Sequence, residues 1–287
     1  FLFGIKFMGD GLQKSAGDRL RDLLDKYTTN PIMGILVGIL VTVLIQSSSG
    51  TTVITVGLVS AGLMKLRQAI GVIMGANIGT TITAFIIGID VGEYALPIIF
   101  VGAVLLFFFK SQKLHNIGQI LFGFGFLFFG LELMSSGMKP LRSFEWFHEL
   151  TVSLSDYSVL GVLVGTVFTL LVQSSSATIG ILQGLFGEGL VDLQGALPVL
   201  FGDNIGTTIT ALLASIGASI AARRAACVHI LFNVFGTVIF MILLVPFTNL
   251  ISWFQQTLGL NPEMTIAFAH GTFNITNTLI MIPFIGA

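Results

Sequence analysis

The sequence has little charge: Asp, Glu, Lys and Arg make up 9% of its 287 residues, whereas 54% are hydrophobic. Soluble domains carry about 25% charged residues, so a soluble fold is excluded and a polytopic membrane protein is predicted. The single cysteine, Cys227, excludes an intrachain disulfide and a cysteine-based metal cluster. The net charge of −1 gives no indication of a nucleic-acid partner, and none is predicted.

Two apolar segments lack the length to cross a bilayer. Residues 31–45 and 158–172 each end at Gln-Ser-Ser-Ser, after which a further apolar run follows. A hydrocarbon core of about 30 Å needs about 20 helical residues, and polar groups at that depth need protein or water around them. The pattern predicts two re-entrant helical hairpins, at 31–64 and 158–191, each interrupted at its polar tetrapeptide.

The second hairpin is a copy of the first. Gln173 lies 127 residues after Gln46, and the same offset places the octapeptide of residues 77–84, Asn-Ile-Gly-Thr-Thr-Ile-Thr-Ala, on an identical one at 204–211. We predict an internal duplication. The first repeat spans 1–126 with a broken transmembrane helix at 69–89, the second spans 127–250 with a broken helix at 195–220, and 251–287 holds an interfacial helix end and a final transmembrane helix.

The number of crossings between the hairpins predicts their relative orientation. Three are expected, at 69–89, 94–109 and 117–134, and an odd number makes the second repeat enter from the opposite face. The predicted fold class is therefore an all-α polytopic membrane protein with two inverted-topology repeats, as in many secondary transporters.

Charge is distributed unequally between the two predicted faces. Basic loops at 65–67, 110–113 and 223–224 fall on one face, whereas most acidic residues, including Asp90 and Glu93, fall on the other. By the positive-inside rule the basic loops are predicted to be cytoplasmic, in a protein of the plasma or inner membrane.

Hairpins that meet tip to tip would bring polar groups of both repeats to the membrane centre. Hydroxyls and amides donate and accept hydrogen bonds, and the N–H groups at the start of each return helix suit an oxyanion. The predicted anion-binding residues are Gln46, Ser47, Ser48, Ser49, Gln173, Ser174, Ser175 and Ser176, with Asn77, Thr80 and Asn204 from the broken helices.

Neither the hairpins nor the broken helices contain Lys or Arg. A doubly charged anion there would face a large desolvation cost unless cations enter with it, so coupling to Na⁺ is expected. Asp203, whose counterpart is Ala76, is predicted to be a Na⁺ ligand with Thr207; the alternative is an acid at the edge of a crossing, hydrated by water. The full predicted Na⁺ set is Asp203, Thr207, Thr208, Gln46, Gln173, Thr81 and Asn233.

Two further groups of polar residues have more than one interpretation. Lys6 and Glu132 occupy equivalent positions of the repeats, and each is either half of a buried pair or a side chain that reaches toward the headgroups. Asn233 follows His229 by one turn, as Asn274 follows His270. Hydrogen bonds between helices are favoured for His270.

The doubled signature resembles the type II sodium-dependent phosphate cotransporter family, and the chain looks like a prokaryotic member over about residues 1–250. The resemblance implies that Gln46–Ser49 and Gln173–Ser176 hold phosphate and that Asp203 and Thr207 match a Na⁺ site. A His-x-x-Phe-Asn stretch of the family is present at 229–233 and absent at 102–106. Prokaryotic relatives often continue into a cytoplasmic helical regulatory domain, which is expected beyond residue 287.

We therefore predict a secondary active transporter, not an enzyme, for Na⁺-coupled uptake of inorganic phosphate by alternating access. The alternatives are Na⁺-coupled transport of another small anion, such as a dicarboxylate, and a phosphate-sensing membrane protein that does not transport. The expected partners are phosphate, Na⁺ as coupling ion and the lipid bilayer, with no other cofactor. The oligomeric state is left open, with a homodimer among the options.

Overall fold

The computed structural model describes residues 1–17, 19–89 and 91–286, so Asp90 of the predicted acidic face lies outside it. Within these ranges all regular elements are helical, as predicted. The fifteen α-helices are α1 Leu2–Ala16, α2 Arg19–Lys26, α3 Pro31–Ile45, α4 Ser48–Ser60, α5 Leu66–Gly88, α6 Ala95–Phe108, α7 Gln112–Met138, α8 Glu145–Asp156, α9 Ser158–Val172, α10 Ser175–Gly187, α11 Leu193–Gly206, α12 Ile209–Ala214, α13 Ile220–Ile242, α14 Leu244–Leu258 and α15 Pro262–Met281.

The helices have the length and composition of a membrane protein. Among the described residues, four stretches are long and apolar enough to cross a bilayer: α5, the helix that starts at Gln112, α11 with α12, and α13. Helices α8 and α9 form a pair bent by 113°, and α3, α4 and α6 are shorter apolar helices. Large apolar side chains such as Phe107 and Phe108, each 80% exposed, point outward. Such a surface requires an apolar surrounding.

Helices α3 and α9 both end at a glutamine with left-handed backbone geometry. Gln46 has φ 57° and ψ 30°, and Gln173 has φ 56° and ψ 27°. In the described chain they are the only non-glycine residues with positive φ. The backbone is extended at the next residue, Ser47 or Ser174, and α4 or α10 follows at once. The helix therefore breaks at both polar tetrapeptides, where the sequence predicts it.

Glycines bring each broken pair into backbone contact with a neighbouring helix. Gly38 of α3 lies against the Val72 carbonyl of α5, and the equivalent Gly165 of α9 lies against the Val199 carbonyl of α11. Gly75 and Gly202 make the reciprocal contacts, with the Ile35 and Val162 carbonyls. A Cβ at any of the four would overlap a main-chain carbonyl. Small residues allow this close packing, which holds membrane helices together.

Helix α15 packs against parts of both repeats. Its Phe273 stacks on Phe201 of α11, with ring centroids 5.0 Å apart, and its Met264 lies against Gly88 of α5. Gln183 of α10 donates to the Ala84 carbonyl (2.9 Å) and to the Glu263 carbonyl (2.8 Å). Helices α5, α10 and α15 are thus fixed to one another by hydrogen bonds as well as by apolar contact.

The predicted break in the first repeat is wrong. Helix α5 is continuous through residues 77–84, whereas α11 ends at Gly206 and α12 begins only at Ile209. Since the octapeptides are identical, their surroundings decide the difference. The last turns of α5 are buried against α15, whereas Leu212 and Leu213 of α12 are 41% and 51% exposed. Helical stability in proteins comes mainly from such packing.

The predicted basic loops are partly helical. Arg223 and Arg224 lie in the first turns of α13, which begins at Ile220, before the predicted loop at 223–224. Arg67 and Lys113 likewise lie in the first turns of α5 and α7. Long basic side chains extend toward water from such positions, so a helix tolerates them near its end.

We expect Gly38→Ala to lower the thermal unfolding midpoint of the purified protein, because the added methyl group overlaps the Val72 carbonyl. Overpacking of this kind costs about 1–3 kcal/mol. The matched control is Gly57→Ala in α4, where an added Cβ meets nothing within 4 Å. Equal midpoints for the two variants would contradict backbone contact between α3 and α5.

Candidate substrate cavity

A cavity of about 750 Å³ lies between the two helix breaks. Gln46, Ser47 and Ser49 of the first tetrapeptide and Gln173 and Ser174 of the second line its wall. Residues that are 127 positions apart in the sequence therefore face one space. The other polar residues of the wall are Lys6, Asp10, Gln13 and Thr210.

Two helix N-termini begin at this wall. Ser47 is the N-cap of α4 and its hydroxyl accepts from the Gly50 N–H (3.0 Å); Ser174 is the N-cap of α10 and accepts from the Ala177 N–H (3.3 Å). The first N–H groups of a helix have no partner within it, and the helix dipole makes that end positive. The arrangement suits a bound oxyanion.

One hydrogen-bonded chain joins the two tetrapeptides. The Thr83 hydroxyl of α5 donates to Gln46 Oε1 (2.9 Å) and accepts from the Ser176 hydroxyl (3.3 Å). Gln46, Thr83 and Ser176 are all buried, with exposed fractions of 9%, 1% and 7%. Sequence reasoning did not single out Thr83, although the residue belongs to the repeated octapeptide.

Several predicted anion-binding residues are absent from the cavity wall. Ser48 and Ser175 are buried beside it. The Asn77, Thr80 and Asn204 side chains donate to carbonyls of their own helices, those of Ile73 (3.3 Å), Ala76 (3.1 Å) and Leu200 (2.9 Å). Thr81, Thr207 and Thr208 of the predicted Na⁺ set do the same, to Ile78, Asp203 and Ile205. Such back-bonding satisfies a hydroxyl inside an apolar helix.

Asp203 is fully buried next to hydroxyls of α9 and α10. Its Oδ1 accepts from Thr169 Oγ1 (2.8 Å), which lies 2.9 Å from Thr178 Oγ1, and Thr178 in turn donates to the Ser174 carbonyl (3.3 Å). A line of polar contacts thus leads from Asp203 to the second tetrapeptide. Asp203 Oδ2 has no hydrogen-bond partner in the described chain. Carboxylate and hydroxyl oxygens are ligands that hard cations prefer.

The first repeat has the same hydroxyl pair without the carboxylate. Thr42 Oγ1 and Thr51 Oγ1 are 2.9 Å apart, and Thr51 donates to the Ser47 carbonyl (3.1 Å), but Ala76 occupies the place of Asp203. Only the hydroxyl pair of the second repeat therefore has a carboxylate as a direct partner, whereas the carboxylate of the first repeat that faces the cavity is Asp10 of α1. Thr169 and Thr178 were missed as candidates, although the 127-residue offset pairs them with Thr42 and Thr51.

Asn233 lies on α13, away from the cavity wall. Its Nδ2 donates to the His229 carbonyl (3.0 Å), and its Oδ1 has no partner in the described chain. Helices α13 and α15 are joined by Asn277, which donates to the Phe232 carbonyl (3.0 Å). His270 Nδ1 has no partner among the described residues.

Of the two interpretations left open for Lys6 and Glu132, the structure contradicts the buried pair. Both side chains are exposed, and the salt bridges Lys26–Asp22 and Arg142–Glu188 involve neither of them. Lys6 instead lines the cavity. The hairpins and broken helices lack a fixed cation, but α1 places one at the edge of the same space.

Both halves of the chain match one family. Residues 1–136 and residues 137–260 each match the family described as Na⁺/Pi-cotransporter. The chain belongs to the Na⁺/Pi-cotransporter family. Membership confirms the resemblance seen in the doubled signature, and it identifies a member of a transporter family rather than an enzyme.

Individual relatives cover the chain to different extents. YqeW of Bacillus subtilis, named an uncharacterized protein, is 32% identical over 99% of this chain and 91% of its own length. The "Putative inorganic phosphate export protein YjbB" of Escherichia coli is 28% identical over 99% of this chain, which spans about half (52%) of that relative. Sodium-dependent phosphate transport protein 2A of Rattus norvegicus is 50% identical over 76 residues, 26% of this chain and 12% of that protein. No solved structure matches.

We expect Lys6→Gln to weaken binding of inorganic phosphate to the purified protein by about two- to fivefold, since an exposed charge contributes about 1 kcal/mol or less. Isothermal titration calorimetry at low and high ionic strength measures the effect, which salt should reduce. Lys14→Gln is the matched control, because Lys14 lies on the same helix, donates to Gln119 (3.0 Å) and is not part of this wall. Equal weakening by both substitutions would contradict a specific role of Lys6.

Proposed function

We propose that the protein is a secondary active transporter that takes up inorganic phosphate together with Na⁺ across the cell membrane. The observation that carries the proposal is the shared cavity, in which hydroxyls and helix N-termini of both repeats meet next to a buried carboxylate. The names of YjbB and of transport protein 2A support phosphate as the substrate.

Electrostatics favour cotransport with a cation. Each helix N-terminus contributes the equivalent of about half a positive charge, and Lys6 lies only at the edge of the cavity. A phosphate dianion at this depth therefore keeps uncompensated negative charge, which is costly in a medium of low dielectric constant. Na⁺ ions that enter with phosphate offset that charge.

The proposed Na⁺ site centres on Asp203 Oδ2, with the hydroxyls of Thr169 and Thr178 next to it. The contact of Thr178 with the Ser174 carbonyl connects this site to the second tetrapeptide. Through this contact, Na⁺ binding at Asp203 is proposed to change the affinity for an anion at the tetrapeptide. Gln46 and Gln173 are proposed as ligands shared between the anion and a cation. Thr81, Thr207, Thr208 and Asn233 remain proposed Na⁺ ligands that need side-chain rotation to reach an ion.

The proposed membrane arrangement is two inverted repeats, 1–126 and 127–250, followed by 251–287. Helices α3 and α9 have fifteen residues each, about 22 Å of helix, which is short of the roughly 30 Å of a hydrocarbon core. Each therefore forms the first arm of a re-entrant hairpin with α4 or α10. The basic segments 65–67, 110–113 and 223–224 are proposed to be cytoplasmic, where a regulatory helical domain is a candidate partner.

Phosphate export is a second candidate. YjbB, whose name specifies export, aligns with 99% of this chain. The same cavity supports either direction, because a symporter moves its substrates along the sum of their gradients. The direction is therefore a property to measure in sealed vesicles.

Proteoliposomes with radiolabelled phosphate test the proposal. We expect phosphate to accumulate under an inward Na⁺ gradient and accumulation to collapse when K⁺ replaces Na⁺. Excess succinate should not compete, whereas competition would indicate a dicarboxylate transporter. Saturable binding without accumulation would indicate a sensor, and release from preloaded vesicles without any Na⁺ dependence would indicate uncoupled export.

We expect Asp203→Asn and Thr169→Val to raise the Na⁺ concentration that gives half-maximal uptake by about tenfold or more, since a charge-assisted contact contributes about 1.5–3 kcal/mol. Thr42→Val is the matched control. It removes the equivalent hydroxyl in the first repeat, where Ala76 replaces the carboxylate, so the Na⁺ dependence should stay unchanged. A common shift in all three variants would argue against a cation at Asp203.

A further inference from the structure

The duplication offers two equivalent sets of residues that could form a hydrogen-bonded chain between the tetrapeptides, and only one of these two sets is joined. The formed copy runs from Gln46 of the first tetrapeptide through Thr83 to Ser176, the last serine of the second. The offset of 127 residues relates these three positions to Gln173, Thr210 and Ser49. Both sets thus consist of a glutamine, an octapeptide threonine and a serine.

The second set is not joined. Gln173, Thr210 and Ser49 all line the cavity. The Thr210 hydroxyl donates to the carbonyl of Thr207, which lies in the interruption between α11 and α12 (3.0 Å). Gln173 is exposed, whereas Gln46 is 9% exposed. The set of Gln46, Thr83 and Ser176 is therefore joined and buried, whereas the chemically identical set of Gln173, Thr210 and Ser49 faces the open cavity.

We propose that Thr83 and Thr210 are positioning residues that alternate. Each threonine in turn forms hydrogen bonds to the glutamine of one tetrapeptide and to the last serine of the other. The side of the site on which these bonds form is then closed. In the opposite state, Thr210 donates to Gln173 and accepts from Ser49, while Thr83 turns back to its own helix. The inference rests on the alternating access of the proposed function.

Local sequence and backbone geometry are equivalent in the two sets. The two octapeptides are identical, and the two glutamines share the same left-handed conformation within a few degrees. The interruption between α11 and α12 falls directly before Thr210, on the open side, whereas α5 is continuous through Thr83, on the closed side. The helix is thus continuous where its threonine bonds to both tetrapeptides, and it is interrupted where the threonine does not. Alternation needs an element with two such states.

Labelling of a single cysteine measures the equilibrium without any transport. Val53 lines the cavity and is 41% exposed, so Val53→Cys in a Cys227→Ser background reports how open this side is to a water-soluble maleimide. The rate is measured on the purified protein in nanodiscs, in the absence of phosphate and Na⁺. A failure of phosphate transport would leave this readout interpretable.

Thr83→Val removes the hydroxyl that joins Gln46 to Ser176 and so destabilises the state in which Val53 is accessible. Labelling should slow by about two- to tenfold, as expected for loss of one or two buried hydrogen bonds. Thr210→Val removes the set of the opposite state, so labelling should be unchanged or faster, and the double variant should return toward the parent rate. Thr83→Ser keeps the hydroxyl and should restore labelling. Thr265→Val, which alters a buried threonine bonded to Asn261 (2.8 Å), is the control for general destabilisation.

The alternation would be overturned if Thr83→Val and Thr210→Val shifted the labelling rate in the same direction. It would also be overturned if both variants labelled at the rate of the Thr265→Val control. If the shifts are opposite but vesicles take up no phosphate, the alternation stands and the proposed function fails. If the vesicles transport and neither threonine variant changes labelling, the proposed function stands and the alternation fails. Thermal melting identifies a variant that does not fold. If Thr83→Val does not fold, Ser176→Ala removes the other hydroxyl of the formed set and should slow labelling, whereas the parent rate in that variant would overturn the alternation.

Discussion

The structure depends on one constraint, which is that a broken helix inside an apolar medium must have its polar backbone groups satisfied or facing water. The chain breaks at Gln46 and at Gln173, and it brings both breaks to the same cavity. The serine caps of α4 and α10, the glycine contacts and the packing of α15 all contribute to this arrangement. Gly38 and Gly165 bring the first arm of each pair against a long helix, so that the break is covered by protein where it does not face the cavity.

The same constraint accounts for the chemistry of the cavity. Helix N-termini and hydroxyls attract an anion but carry only partial charge, and the one lysine of the wall lies on α1. Asp203 has a buried carboxylate oxygen without a partner in the described chain, which is costly unless a cation or a proton occupies that position. The proposed anion site and a carboxylate without a counterion are thus linked through Thr169, Thr178 and the Ser174 carbonyl. The proposed cotransport would supply a cation for both.

Much of the fold follows from the sequence because polar residues are rare in it. Gln-Ser-Ser-Ser in an apolar run predicts a break, and an offset that holds from Gly38 to Thr83 predicts that the second repeat has the same elements. The shared cavity follows from the same pattern, since polar groups of two broken helices in an apolar medium lower their energy by facing each other. The family matches each half of the chain separately, at 1–136 and 137–260.

Contacts between the repeats could not be predicted in this way. The octapeptides are identical, so only their neighbours explain why α5 is continuous and α11 stops at Gly206. Asn77 and Asn204 look like ligands in the sequence, but in the structure they bond to their own helices. Thr83 and Lys6 gain their places at the site from the packing of α5 and α1, which a pattern of hydrophobic residues does not specify.

The central claim is that phosphate and Na⁺ are bound together because each offsets the charge of the other. Titration of phosphate into the purified protein at constant ionic strength, in NaCl and in KCl, tests it most directly. The account predicts that the phosphate affinity is about tenfold or more higher in NaCl than in KCl. By linkage, phosphate should raise the Na⁺ affinity by the same factor. Equal phosphate affinity in the two salts would contradict it.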